Sequence, residues 1–273
     1  MVARRATVAI PLVWVALSVA AAIAIGIASA GGAFGSAYAR ETPSWAAQGV
    51  GQDLVNLFIV VPLLLATAAL AARGSLRALL VWLGLLLYVV YSYVLYAFDV
   101  HFNRLFLFYV AALGLAFHAC VGAVLTLDRT AIVDSFNRET PTRAMSALLI
   151  GVGLLFAALW LSDIVPALRA GRAPASVDEV GLPVNPIHVL DLAFALPGLI
   201  VVGALARRRH PIGMLLAVPC VTFLIVMGLA ILAMAWVMHV RGVASGGLPL
   251  PIVVTTVASL VVTYRWLMAL PDS

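Results

Sequence analysis

Apolar and polar positions alternate along this chain in long blocks rather than residue by residue. Eight apolar runs stand out: Ala6 to Ile27, Leu54 to Ala72, Leu76 to Ala97, Leu105 to Leu127, Ala144 to Val165, Val189 to Ala206, Ile212 to Val237 and Leu248 to Ala269. A helix rises 1.5 Å per residue, so runs of about twenty residues match the ~30 Å hydrocarbon core of a bilayer. None shows the period-two alternation of a barrel strand. Without water every backbone amide must be paired inside its own segment, which selects helices. The pattern predicts an all-α, polytopic transmembrane helical bundle of about eight helices, forming one transmembrane domain over residues 1–273.

Composition agrees with the pattern. Of 273 residues 64% are hydrophobic and 10% charged, with a mean hydropathy of +1.14. A soluble domain carries about a quarter charged residues and cannot hide this much apolar surface. The lipid bilayer is therefore the first partner. The net charge of +5 comes from arginine, since the chain contains no lysine. In a soluble protein a pI near 9.7 would suggest nucleic acid. Here the arginines sit between apolar runs, where charge sets orientation, so nucleic acid is discounted.

Alternating the loops places Arg4, Arg5, Arg73, Arg77, Arg129, Arg138, Arg143, Arg207, Arg208, Arg209 and Arg265 on one side. Arg40, Arg104, Arg169, Arg172 and Arg241 fall on the other. By the positive-inside rule both termini are cytoplasmic, and the protein belongs in the plasma membrane. The first run follows two arginines and precedes Ala28-Ser29-Ala30, like a signal peptide; its length favours a retained helix. Arg207 to Arg209 also offer a contact for anionic lipid.

The chain also resembles itself. A shift of 135 residues lays Asp53-x-x-Asn56-x5-Pro62 over His188-x-x-Asp191-x5-Pro197, and continues through Leu64/Leu199 and Ala69/Ala204 to Arg73/Arg208. This suggests a tandem 4+4 repeat with halves 1–127 and 144–270, joined by the cytoplasmic loop 128–143. An even number of helices per half gives both the same orientation, as in transporters with parallel repeats.

On this topology the polar residues in and beside the helices crowd the extracytoplasmic end. Asp53 and Asn56 open the second helix, and His188 and Asp191 the sixth. Asp99, His101 and Asn103 join the third to the fourth, while Asp163 and His239 end the fifth and seventh. Residues at i and i+3 share a helix face, so each pair can address one ligand. Helix capping explains Asp53 equally well. Asn56 and Asp191 lie one turn deeper, where a carboxylate normally faces a partner or a wet cavity, and Asp191 is the strongest single candidate. The prolines six residues on remove a backbone donor each and predict kinks. The candidate ligand-binding set is thus Asp53, Asn56, His188, Asp191, Asp99 and His101.

A metal site is the weaker reading. His188, Asp191, His101 and His239 supply ligand types for metal-assisted chemistry, but no compact motif such as HExxH links them. Cys120 and Cys220 lie in apolar runs and read as small hydrophobes. His118, mid-run in the fourth helix, is expected to be a core histidine bonded to a neighbouring helix, with haem ligation or proton relay as the alternatives. Tyr88, Tyr91, Tyr93 and Tyr96, running into Phe98, Phe102 and Phe106, read as an aromatic belt, although Tyr88 and Tyr91 share a face deep enough to line a cavity. Thr255, Ser259 and Thr263 form a helix-packing stripe. The outer segments Gly31 to Gln52 and Pro166 to Pro186, with Glu41, Trp45, Asp178 and Glu179, are expected to be long loops that either cap a site or serve as linkers.

Three functions follow. The first is transport or binding of a small molecule or ion at the extracytoplasmic polar site. The second is a membrane-embedded metal-dependent hydrolase or redox enzyme, disfavoured by the lack of catalytic spacing. The third is a structural or assembly subunit of a membrane complex. The cofactor, if the protein uses one, is unknown from the sequence.

Overall fold

The computed structural model describes residues 10–128, 132, 134–136, 140–243 and 249–270. Helix is the only regular structure among the described residues. Eight helices are long and apolar enough to cross a membrane: α1 Leu12–Ala33, α2 Pro43–Ala72, α3 Leu76–Asp99, α4 Phe106–Thr126, α5 Thr142–Arg169, α6 Pro186–Arg207, α7 Pro211–Val240 and α8 Leu250–Met268. Large apolar side chains such as Ile23, Phe117, Leu125, Leu154 and Val257 are exposed around the outside. Water would penalise that surface and hydrocarbon does not. These features describe a multi-pass membrane protein.

Local chemistry sets the helix starts. Thr42 accepts from the Trp45 amide ahead of α2, with Pro43 at the first helical position. Ser75 caps α3, Asn185 precedes Pro186 at the start of α6, and His210 precedes Pro211 at α7. In each case a side chain satisfies an orphan amide, and at three of the four a proline adds a pre-set φ.

The first four helices form a closed unit: α1 packs on α2 and α4, and α3 packs on α2 and α4. In the second four, α5 packs on α6, α6 on α7 and α7 on α8, while α8 touches α5 more lightly. The two units meet where α7 lies against α2 and α3. Glycine makes that seam close. A Cβ at Gly51 would come within 2.5 Å of the Met234 backbone, and one at Gly84 within 2.6 Å of the Pro219 carbonyl. Small residues at such crossings allow the backbone approach on which membrane packing depends. The best enclosed helix is α3, with 72% of its apolar stretch buried.

Several boundaries differ from the hydropathy pattern. The outer segment Gly31 to Gln52 is mostly helix, because α1 runs to Ala33 and α2 begins at Pro43 rather than Leu54. Likewise α5 continues past Asp163 to Arg169, and a short helix Ala175–Val180 fills part of the following segment. Polar residues such as Gln48 and Gln52 enter the α2 extension and end a hydropathy run although the helix continues, and the α5 extension carries Pro166 inside it. Of the residues used above for orientation, Arg4, Arg5, Arg129 and Arg138 lie outside the described residues, as does much of the 128–143 loop.

Candidate functional site

Both α2 and α6 change winding at the same relative place. The Val61 amide donates to the Asn56 carbonyl, and the Leu196 amide to the Asp191 carbonyl. These i→i−5 bonds give single π turns over Asn56–Val60 and Asp191–Ala195. Each closes one residue before a proline, Pro62 or Pro197. Proline has no N–H and its ring would strike the carbonyl four residues back, and a wider turn relieves that collision. The first residues of the two π turns are 135 positions apart.

Three tyrosines of α3 reach the polar residues of these helices. Tyr88 donates to Asn56 Oδ1 at 3.0 Å, Tyr91 to Asp191 Oδ1 at 2.8 Å and Tyr96 to Asp53 Oδ1 at 2.9 Å. The aromatic-belt expectation therefore fails for the tyrosines. Tyr88, Tyr93 and Tyr96 are buried, and only Phe98 and Phe102 stand exposed. Buried acceptors on α2 and α6 need donors, and α3 lies between them.

The four central candidates do not meet as one cluster. Asp53 is fully buried, with its second oxygen held by Tyr38 at 2.5 Å. Burial, with the Asp53 carboxylate beside it, lifts the Tyr38 phenol well above the usual tyrosine range and keeps it a donor. Asn56 is also fully buried, and its Nδ2 has no partner among the described residues. Gln52 joins this group through the Tyr88 hydroxyl at 3.5 Å. Asp191 lies elsewhere, on the wall of a cavity of about 490 Å3. Its Oδ2 accepts from Trp160 Nε1 at 2.8 Å, so one carboxylate ties α6 to both α3 and α5. His188 is buried and lies tilted against the Trp160 ring, with centroids 4.8 Å apart, and its Nε2 is unpartnered among the described residues.

The remaining candidates occupy the loops at the same end. Asp99 is half-buried at the end of α3, with no hydrogen bond among the described residues. His101 binds Glu41 through its backbone amide at 2.8 Å and its Nδ1 at 3.0 Å, and the Glu41 side chain is only 1% exposed. Asp163 accepts from Ser176 at 2.6 Å. His239 is exposed. Among the described residues no three His, Cys, Asp or Glu side chains gather to hold a metal ion. His118 departs from expectation: it is exposed on the outside of α4, and its Nδ1 bonds the Gly114 carbonyl of its own helix at 2.7 Å.

The cavity lies between the two four-helix units, walled by α2 and α3 on one side and by α5 to α8 on the other. Its surface is largely apolar, with Asp191, Glu179, Gln48 and Gln52 as isolated polar points. The segments around 31–52 and 166–186 close over it. Thr42 donates to the Glu179 carbonyl at 2.9 Å and Ser44 to Glu179 Oε1 at 2.6 Å, and Tyr38 and Trp45 line the wall. Sequence reasoning missed Trp160, Tyr38, Gln48 and Gln52. Gln48 and Gln52 had a signal, an i, i+4 polar pair, but it fell in a stretch assigned to loop. Trp160 sits inside an apolar run and had none.

The fold and this arrangement define a polytopic helical membrane protein with a largely apolar cavity between two four-helix units. No known protein family, no curated protein and no solved structure matches the chain.

Proposed function

We propose that this protein binds, and moves across the plasma membrane, a small molecule held in the cavity between its two units, with Asp191 as the polar anchor. The observation that carries the reading is the carboxylate itself. It stands in a largely apolar wall, held at both oxygens, in a cavity whose size falls within the roughly 300–1,000 Å3 of small-molecule sites. An ionisable side chain at such a depth is costly to keep and usually marks a pathway or a ligand.

The two π turns support a tandem duplication of four helices, with halves 1–127 and 144–270, since both halves break their second helix at corresponding residues. Parallel repeats commonly enclose a transporter's substrate at their interface, and broken helices line it. The arginine distribution supports cytoplasmic termini, and on that orientation the closed end of the cavity, at Tyr38 and Glu179, faces outside.

The test is occupancy. Met227 lines the cavity, and its thioether makes no hydrogen bond among the described residues, so Met227→Trp fills space there without removing one. Small molecules that co-purify with the wild-type protein in mild detergent, identified by mass spectrometry, are expected to be depleted in Met227→Trp. An identical set from both proteins would rule the cavity out as the binding site.

A further inference from the structure

The cavity wall also limits what can bind, and the limit is one of charge. Among the described residues its lining contains two carboxylates, Asp191 and Glu179, and no arginine, lysine or histidine. The Asp191 oxygens accept from a phenol and an indole, both neutral, so no arginine offsets its charge among the described residues. The Glu179 carboxylate accepts from the Ser44 hydroxyl alone among the described residues. His188 packs tilted against Trp160 and lies outside the lining.

The rest of the wall is unusually rich in aromatic faces. Trp45, Tyr91, Tyr96, Phe156, Trp160 and Phe223 all contribute. Aromatic rings present a negative face and attract cations, most strongly where water is excluded. Met227, Met234 and Met238 add flexible, polarizable surface that adapts to ligand shape.

On the reading that the cavity is a ligand site, the geometry points to a lipophilic organic cation, an amine or quaternary ammonium compound, as the class of molecule it takes. A divalent metal ion is a poor occupant, because calcium and magnesium require six or more oxygen ligands and this wall supplies few, and no three His, Cys, Asp or Glu side chains gather for a transition metal among the described residues. A phospholipid would bring its phosphate towards two carboxylates. A lipophilic cation satisfies both features: its charge meets Asp191 and its apolar body meets the rings and methionines.

Tetraphenylphosphonium and tetraphenylborate have nearly the same shape and opposite charge, so together they isolate this term. In equilibrium dialysis with detergent-solubilised protein, with protein-free micelles as the blank, wild type is expected to bind the cation and not the anion. Asp191→Asn is expected to weaken cation binding at least about tenfold, since a unit charge at contact distance in a partly desolvated site outweighs that factor. Asp191→Glu is expected to retain it. Unchanged helical content and elution volume show that the variants are folded. Glu179→Gln, at an exposed position, provides a second variant that does not disturb the interior, and a smaller loss is expected there.

Equal binding of both ions, or cation binding indifferent to both substitutions, overturns the inference. If both ions bind wild type and neither binds Met227→Trp, the cavity reading stands while the charge selectivity falls. Failure of tetraphenylphosphonium to bind at all also overturns the inference, and the co-purification comparison then decides separately whether the cavity is a site.

Discussion

Asp53 shows what the protein must do to keep a carboxylate inside a membrane. It is fully buried and is held at both oxygens by Tyr38 and Tyr96, so each acceptor position is answered by a neutral donor. Removing one donor leaves a buried oxygen unsatisfied, at a cost of about 1–3 kcal/mol. Tyr96→Phe is therefore expected to lower the unfolding temperature in detergent, and Asp53→Asn on that background to add less than it does alone. Strictly additive effects in that double-mutant cycle would show that the pair is not coupled. Asp191 was legible in the sequence because an acid inside an apolar run is costly without a purpose. The tyrosines were not, since belt residues and donors to buried acids look alike until the facing helix is known. Trp160 was hidden for a simpler reason: an indole N–H gives no signal in hydropathy.

Among the elements, α2 and α6 stand apart because each carries a π turn followed by a proline. The prolines and the 135-residue spacing were visible in the sequence. The widened turn was not, since a proline accommodates equally by a kink, by a break or by re-pairing with a neighbour. The start of α2 was misread because cavity-lining residues such as Gln48 and Gln52 interrupt a hydropathy run inside the helix, and the extent of α5 because the run was closed at Val165, ahead of Pro166. A turn with i→i−5 pairing ahead of a missing donor opens more readily than regular helix. Amides in 191–197 are accordingly expected to exchange with deuterium faster than those in 199–206, by roughly tenfold for each ~1.4 kcal/mol of difference in opening energy. Pro197→Ala supplies a donor and is expected to narrow the gap. Equal exchange in the two wild-type segments would contradict this account of the π turn.

For the whole molecule, the number of spanning helices and their lipid-facing exterior were legible from the blocks of apolar residues alone, because the bilayer sets segment length. How the two units meet was not, since it depends on glycines placed against a backbone four and five helices away. The proposed orientation can be checked directly. In a background lacking Cys120 and Cys220, a cysteine at exposed Arg73 is expected to be shielded from an impermeant maleimide in intact cells, and one at exposed Ala173 to react. Labelling of Arg73→Cys with protection of Ala173→Cys would invert the topology. Labelling of both would break it.

The seam at Gly51 and Gly84 has a mechanical consequence. At Gly51 α7 meets α2 backbone to backbone, and at Gly84 the Pro219 carbonyl and the Thr222 side chain press on α3, so sliding in that plane meets close contact at both points. Any widening of the molecule must swing about this spine, as a book opens. The far edge, where α6 meets α3 mainly along Pro186–Leu190, is fastened by the Tyr91–Asp191 clasp, which would then be the first contact to part.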